Sequence, residues 1–341
     1  MITASLEART SAVATPALPD WRELWRQSIT DPQELLRRLD LEHLADRLPA
    51  ADAGFPLRVP PGYLARIRPA DPTDPLLLQV LPQLAELDQT EGYRLDPVGD
   101  MPALASHGVL HKYQGRALLI ASGSCAIHCR YCFRRHFPYA EETAAAGQWQ
   151  EAVDYLRGDD SISELLLSGG DPLSLSNAKL AQLTPQLAGL PHLKRLRIHT
   201  RLPAVLPERV DAGLLEWLEA LPLQKVVVLH INHPREIGPE VAAACSRLRA
   251  AGVTLLNQAV LLRGINDDAD TLAELSETLM ACGVLPYYLH QLDQVRGAAH
   301  FEVDDALALA LIEALRGRLP GYLVPRLVRE VAGDPAKRPL N

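Results

Sequence analysis

Three cysteines stand together in Ser124-Cys125-Ala126-Ile127-His128-Cys129-Arg130-Tyr131-Cys132-Phe133-Arg134-Arg135-His136-Phe137, with the spacing C-x3-C-x2-C. A short loop can turn three thiolates onto one soft metal centre. Three ligands rather than four is the informative feature. A structural zinc site closes with four, whereas a cluster with one open iron can bind and activate a substrate. Three unrelated buried cysteines are the plain alternative, since cysteine packs well as a small core residue. The clustering argues against it, as do the flanking His128, Arg130, Arg134 and Arg135, which make the loop polar and electropositive.

A loop of this kind must be held by a scaffold, and the chain supplies a regular one from there on. Short apolar runs recur near 116–121, 164–168, 194–199, 225–231, 253–258 and 284–290. Between them lie stretches of helical periodicity at about 141–157, 177–188, 208–220, 238–250, 268–281 and 304–317. Strands alternating with helices of this length predict an α/β fold built from parallel βαβ units. The absence of G-x-G-x-x-G after the first run favours a barrel or partial barrel over a dinucleotide-binding fold, although a doubly wound sheet has the same spacing. Each run ends in polar residues: Cys125–Cys132, Ser168-Gly169-Gly170-Asp171, His199-Thr200-Arg201, His230-Ile231-Asn232-His233, Gln258, and His290-Gln291-Leu292-Asp293. In a parallel barrel these ends open on one face, where active sites are built.

Upstream, residues 1–19 are rich in Ala, Ser, Thr and Pro and read as a loose arm. Residues 20–105 read as a mostly helical region. Asp31-Pro32 is an N-cap followed by proline at the first helical position, a further helix is expected near 76–87, and prolines are frequent from 55 to 110. At 341 residues, 48% hydrophobic and 22% charged, the chain has ordinary globular usage and enough length for one barrel with appendages. A net charge of -8 gives no support to nucleic-acid binding. With three of five cysteines clustered, a secreted disulfide framework is not indicated. No signal peptide or bilayer-length apolar run is evident, so a cytoplasmic protein with no membrane partner is expected.

The cysteine spacing, followed by aromatic and basic residues, resembles the signature of the radical S-adenosylmethionine (SAM) enzymes. The longer string Cys129-Arg-Tyr-Cys-Phe-Arg-Arg-His-Phe-Pro-Tyr139 is similar to the lysine 2,3-aminomutase group. Within that group the chain resembles the branch that supplies β-lysine to elongation factor P, in its N-terminal Asp31-Pro-Gln-Glu-Leu-Leu-Arg-Arg-Leu39 as well. The resemblance implies a partial six-unit barrel over 106–320, with a C-terminal segment, 321–341, carrying a cofactor lysine. It also implies a 4Fe–4S cluster on Cys125, Cys129 and Cys132, with SAM on the open iron.

Further roles come from the same resemblance. Ser168, Gly169, Gly170 and Asp171 match the segment that meets the SAM amine, and Arg201, His230 and Gln258 fall around SAM. Taken alone, the glycine pair is a strand-to-helix turn with Asp171 as acceptor or cap. Lys337 matches the lysine that bonds the aldehyde of pyridoxal 5′-phosphate (PLP); by chemistry alone a lysine there faces solvent. Lys112, Tyr113 and Arg116 fall at phosphate-binding positions, or else form a basic strand edge. Arg134 matches the arginine that forks onto the substrate carboxylate, a task suited to guanidinium. Asp293 and Glu330 match the two acids that bind the distal ammonium of L-lysine. Cys245 and Cys282 are expected in the core, and Asp268 stands where catabolic relatives carry a zinc-binding cysteine, so no structural zinc is expected.

The activity implied is conversion of L-lysine to (R)-β-lysine, with an electron donor of flavodoxin or ferredoxin type and a functional link to an elongation factor P ligase. Two other readings stay open. One is the same chemistry in lysine catabolism, which the stop four residues after Lys337 argues against. The other is an iron–sulfur binding or electron-transfer protein without PLP, which the SAM-face residues and Lys337 oppose.

Overall fold

The computed structural model describes residues 18–50, 55–145 and 149–340. Ten strands form one sheet whose spatial order follows the sequence from β1 to β10. They are β1 (Leu104–Ser106), β2 (Val109–Tyr113), β3 (Arg116–Ser122), β4 (Glu164–Gly169), β5 (Arg195–Thr200), β6 (Gln224–Leu229), β7 (Thr254–Val260), β8 (Leu285–His290), β9 (Arg326–Arg329) and β10 (Arg338–Pro339). From β3 to β9 every neighbouring pair is parallel. Antiparallel strands extend both ends: β1 and β2 before β3, and β10 after β9.

Side-chain alternation along these strands separates two environments. On β4, Leu165 and Leu167 enter the main apolar core, while Leu166 and Ser168 face a cavity. On β5, Leu196 and Ile198 are buried in the same core, and Arg197 and His199 line the cavity. Helices cover the core side. Leu272, Leu275 and Leu279 of Ala269–Ala281, and Ala308, Leu311, Ile312 and Leu315 of Asp305–Arg316, recur at helical spacing and are buried there. Each fully buried leucine of this set contributes roughly 1.5–3 kcal/mol. Aspartates start these helices: Asp268 accepts from Thr271 N at 2.8 Å and Asp304 from Leu307 N at 2.8 Å. Position 268 therefore carries a helix cap.

The six expected runs all become strands, and β9 is a seventh parallel strand that sequence reading left inside the C-terminal segment. Its four residues, Arg326–Arg329, are too few to register as a periodic run. The expected helix over 177–188 is two short pieces, Asn177–Ala181 and Thr184–Ala188, with Pro185 in the first turn of the second. Among the described residues of the stretch 141–157 only Gln150–Arg157 is helical. Upstream, Asp31 caps Pro32–Arg38 by accepting from Gln33 N at 3.0 Å, as the Asp-Pro pair predicts. The stretch near 76–87 is a single α-turn, Pro75–Leu78, then a 3-10 turn, Leu84–Leu87. The division expected between 105 and 106 falls inside β1, and the arm expected over 1–19 lies, except for Leu18 and Pro19, outside the described residues. Among the described residues no helix is long and apolar enough to cross a membrane.

Candidate active site

One cavity of about 390 Å³ opens at the C-terminal ends of the parallel strands, a size that suits a small-molecule site. Every residue singled out from the sequence for chemistry lines it: Cys125, Cys129 and Cys132; Ser168, Gly169, Gly170 and Asp171; Arg201, His230 and Gln258; Lys112, Tyr113 and Arg116; and Arg134, Asp293, Glu330 and Lys337. Side chains from β2, β3, β4, β5, β7 and β8, with residues following β6 and β9, share this space.

The cysteine loop follows β3 and rests on the N-terminal region. Arg130 donates to Glu86 through Nε (2.8 Å) and Nη2 (2.5 Å) and to the Phe55 carbonyl (2.9 Å), and Arg135 donates to the same Glu86 at 2.7 Å. His128 N and Arg130 N donate to the carbonyls of Arg58 and Gln79. Two of the flanking arginines thus anchor the loop. Burial pushes the Cys125 thiol well up and the Cys132 thiol up to about 11, so their thiolates need a cation against them. A bound iron supplies one. Among the described residues no three His, Cys, Asp or Glu side chains form a single-ion site. The three thiols share the cavity.

Beside Cys129, Arg201 is enclosed. Its Nη1 donates to Cys129 Sγ at 2.7 Å and to the Tyr131 hydroxyl; its Nη2 donates to Gln79 Oε1 at 2.6 Å and Glu236 Oε2 at 2.9 Å. Glu236 is fully buried and also accepts from the backbone N–H groups of Asn232 and His233. Asp171 is committed to the fold: it accepts from Leu173 N, Thr200 Oγ1, Arg201 N and Leu202 N, all within 3.1 Å. Burial pushes its carboxyl up to about 6 even so. Gly169 and Gly170 are required by the neighbouring backbone. Gly169 has φ +121°, and a Cβ there would sit 2.5 Å from the Ser122 carbonyl oxygen; one on Gly170 would sit 2.7 Å from that of Ser124. The cap-and-turn reading of this segment is thus realised, and its residues still face the cavity.

Across the cavity lies a chain of alternating charges. Arg134 Nε donates to Asp100 Oδ2 at 2.6 Å and its Nη1 to Ser168 Oγ at 3.0 Å. Lys112 Nζ lies 2.6 Å from Asp100 Oδ1 and 3.1 Å from Glu330 Oε1, and donates to the Val98 carbonyl at 2.8 Å. Glu330 Oε2 accepts from Lys337 Nζ at 2.6 Å. Burial alone would raise the Glu330 carboxyl, but Lys337 and Lys112 outweigh it and hold it well below the usual carboxylate range. Asp293 behaves oppositely: burial, then repulsion from Glu330, pushes it up to about 7. Arg116 stacks its guanidinium 4.6 Å from the Tyr113 ring centroid.

The remaining wall is histidine-rich. His230 Nε2 and Gln258 Nε2 are 3.0 Å apart. Burial, with nearby cations, lowers His230 to about 3 and His199 and His290 well below the ordinary imidazole value, so all three are neutral near pH 7. The Nε2 atoms of His199 and His290 and the Nε atoms of Arg197 and Arg201 are buried with no protein partner. Orphaned polar atoms on a cavity wall are what a polar ligand would satisfy.

Sequence reading did not find Gln79, Glu86, Asp100, Arg197 or Glu236. The first three lie in the proline-rich N-terminal region, where no periodicity marks a strand end. Glu236 lies in a 3-10 turn, Pro234–Glu236, and Arg197 within a strand reads as an exposed position. Cys245 is buried in Pro239–Ala250, and Cys282, half-buried, ends Ala269–Ala281.

Comparison with known proteins gives first a class. Residues 114–190, which contain the cysteine loop, match the family described as a 4Fe-4S single cluster domain. Full-length relatives narrow this. The chain is 46% identical to L-lysine 2,3-aminomutase of Escherichia coli (strain K12) over 96% of both chains. It is 47% identical to L-lysine 2,3-aminomutase of Haemophilus influenzae over 93% of this chain and 94% of that one. The protein belongs to the L-lysine 2,3-aminomutase family. Among solved structures, a radical SAM methyltransferase from Sphaerobacter thermophilus matches 65% of this chain and 68% of its own, with 17% identity and a TM-score of 0.45.

Proposed function

We propose that this protein is an L-lysine 2,3-aminomutase that converts L-lysine to (R)-β-lysine. The observation that carries the reading is that three cysteines, Lys337 and a carboxylate pair opposed by Arg134 all line one cavity. When bound, a 4Fe–4S cluster with SAM supplies a carbon-centred radical that removes substrate hydrogen, and PLP supplies an aldehyde that holds the migrating nitrogen.

The chain's own residues do the rest. Cys125, Cys129 and Cys132 would hold the cluster, with Arg201 donating to Cys129 Sγ. Ser168, Gly169, Gly170, His230 and Gln258 would line the SAM side, with Asp171 shaping the loop by its four backbone and hydroxyl contacts. Lys337 would bond PLP. Tyr113 and Arg116 would meet its phosphate, while Lys112 is already shared between Asp100 and Glu330. Arg134 would bind the substrate carboxylate and Glu330 with Asp293 its distal ammonium. Two acids at that end reject a side chain ending in carboxylate. Holding both substrate ends fixes the reacting carbons between them.

The parallel strands fit a partial barrel over 106–320, preceded by a mostly helical region at 20–105 and followed by a segment at 321–341 that completes the charge chain. We place the enzyme in the cytoplasm, with an electron donor of flavodoxin or ferredoxin type, supplying β-lysine for modification of elongation factor P. The test is anaerobic reconstitution with iron, sulfide and PLP, then incubation with SAM, dithionite and L-lysine and chromatographic mass spectrometry. We expect β-lysine, lost in Cys129→Ala and Lys337→Ala. SAM cleavage with lysine untouched would refute the substrate assignment, and an intact reduced cluster that cleaves no SAM would refute the whole reading.

A further inference from the structure

Asp100 contributes two of the shortest contacts on the cavity wall, although it lies in the N-terminal region, just before the first strand. Its side chain is 2% exposed, and each carboxylate oxygen meets a different cation: Oδ2 the Arg134 Nε and Oδ1 the Lys112 Nζ, both at 2.6 Å. Burial alone would raise its carboxyl, but Arg134 and then Lys112 outweigh that and keep it anionic. A buried carboxylate so placed has a definite effect on a guanidinium, whose five donors form a planar fork. Asp100 takes Nε and Ser168 takes one direction of Nη1. Among the described residues Nη2 and the second N–H of Nη1 take no protein acceptor, and Arg134 lines the cavity. Asp100 thereby sets which edge a substrate can meet. One arginine against one carboxylate would cancel and attract no further anion, but here Lys112 shares that carboxylate. Asp100 is therefore not spent on Arg134 alone.

We propose that Asp100 is a positioning residue for the carboxylate end of the substrate, acting through Arg134. This rests on the reading of Arg134 as the carboxylate-binding arginine. It assigns the N-terminal region a part in substrate selection, alongside Arg134 itself.

The test compares L-lysine with L-lysinamide, which keeps both amino groups and lacks the carboxylate. Binding is measured on holoenzyme carrying cluster, PLP and SAM, without reductant, from the change in PLP absorbance. Wild type should prefer lysine. Asp100→Asn should weaken lysine about tenfold and leave lysinamide within twofold, with iron and PLP content unchanged. In an Arg134→Gln background, where the preference is already lost, Asp100→Asn should add nothing. Equal losses for both ligands, or an undiminished preference for lysine, would overturn the role of Asp100. If Asp100→Asn fails to retain its cofactors, Asp100→Glu carries the test: a selective loss for lysine of about threefold supports the proposal, and an equal loss for both ligands or none overturns it. A wild-type protein that binds the two ligands alike would refute the reading of Arg134 and this inference with it. Discrimination by wild type that survives in Asp100→Asn refutes Asp100 alone.

Discussion

Glu236→Gln should be among the most damaging single-atom changes in this protein, although Glu236 is not proposed to touch any ligand. The side chain of Glu236 is fully buried and that of Arg201 is 6% exposed, with Nη2 to Oε2 at 2.9 Å. At an effective dielectric near 20 their attraction is about 6 kcal/mol. Part of this offsets the cost of burying both charges, so the relevant quantity is what remains when one partner goes. Breaking a buried pair costs about 3–5 kcal/mol, because the surviving charge is stranded. Glutamine keeps an acceptor for the Asn232 and His233 N–H groups, and Arg201 retains Gln79 and Tyr131. Because these hydrogen bonds remain, we expect the lower end, about 3 kcal/mol, or roughly a hundredfold in the folding equilibrium. Urea unfolding of the cluster-free protein reads this as a lower midpoint at unchanged slope. The double variant Arg201→Gln/Glu236→Gln should lose less than the sum of the singles. Loading the cluster should shrink the Glu236→Gln loss, since ligated cysteine brings negative charge to the Sγ that Arg201 contacts. A loss below about 1 kcal/mol, or strict additivity, would refute the stranded-charge argument.

Asp293, with its carboxyl at about 7 in the fold, predicts two pH effects. It holds a proton that the unfolded chain releases near pH 4, so its contribution to stability falls as pH rises from about 4 to 7. Lysine binding, which needs the charged form, should be about tenfold weaker at pH 6 than at pH 8; Asp293→Asn should flatten both profiles, and profiles unchanged in that variant would contradict the assignment. Gly169→Ala combines a left-handed φ with a Cβ 2.5 Å from a backbone oxygen, and should cost about 1–3 kcal/mol or more. Gly252, with φ +75° and open space around its Cβ position, is the control: Gly252→Ala should cost less, and equal melting temperatures for the two variants would show that the Ser122 contact is soft.

The strand ends were legible because a parallel sheet repeats one signal, an apolar run closed by polar residues, and each repeat adds a loop to the same rim. Cys125–Cys132, Arg201, His230, Gln258 and Asp293 can therefore be placed on that rim from the sequence pattern. Lys337 and Glu330 came from resemblance, since a lysine in Ala-Gly-Asp-Pro-Ala-Lys carries no local sign of burial. β9, which brings them in, is too short to read. Gln79, Glu86 and Asp100 were invisible for another reason: they act through contacts 12 to 157 residues away along the chain, and nothing around them distinguishes a structural polar residue from a solvated one. Asp171 shows the converse, since a residue that looked poised for a ligand spends its carboxylate on four neighbours.

The order of the sheet also has a kinetic consequence. Because every strand from β1 to β10 lies beside the strand made just before it, the chain can add to a growing edge as it is synthesised, with each pairing closing only one intervening loop. The charges of the cavity do not follow that schedule. Asp100, Lys112 and Arg134 are in place early, while Glu330 meets Lys112 across 218 residues and Lys337 arrives seven residues after that. Until β9 docks, two cations share one acid. The docking of β9 thus brings the second acid to the mouth, and β10, just after Lys337, completes the sheet.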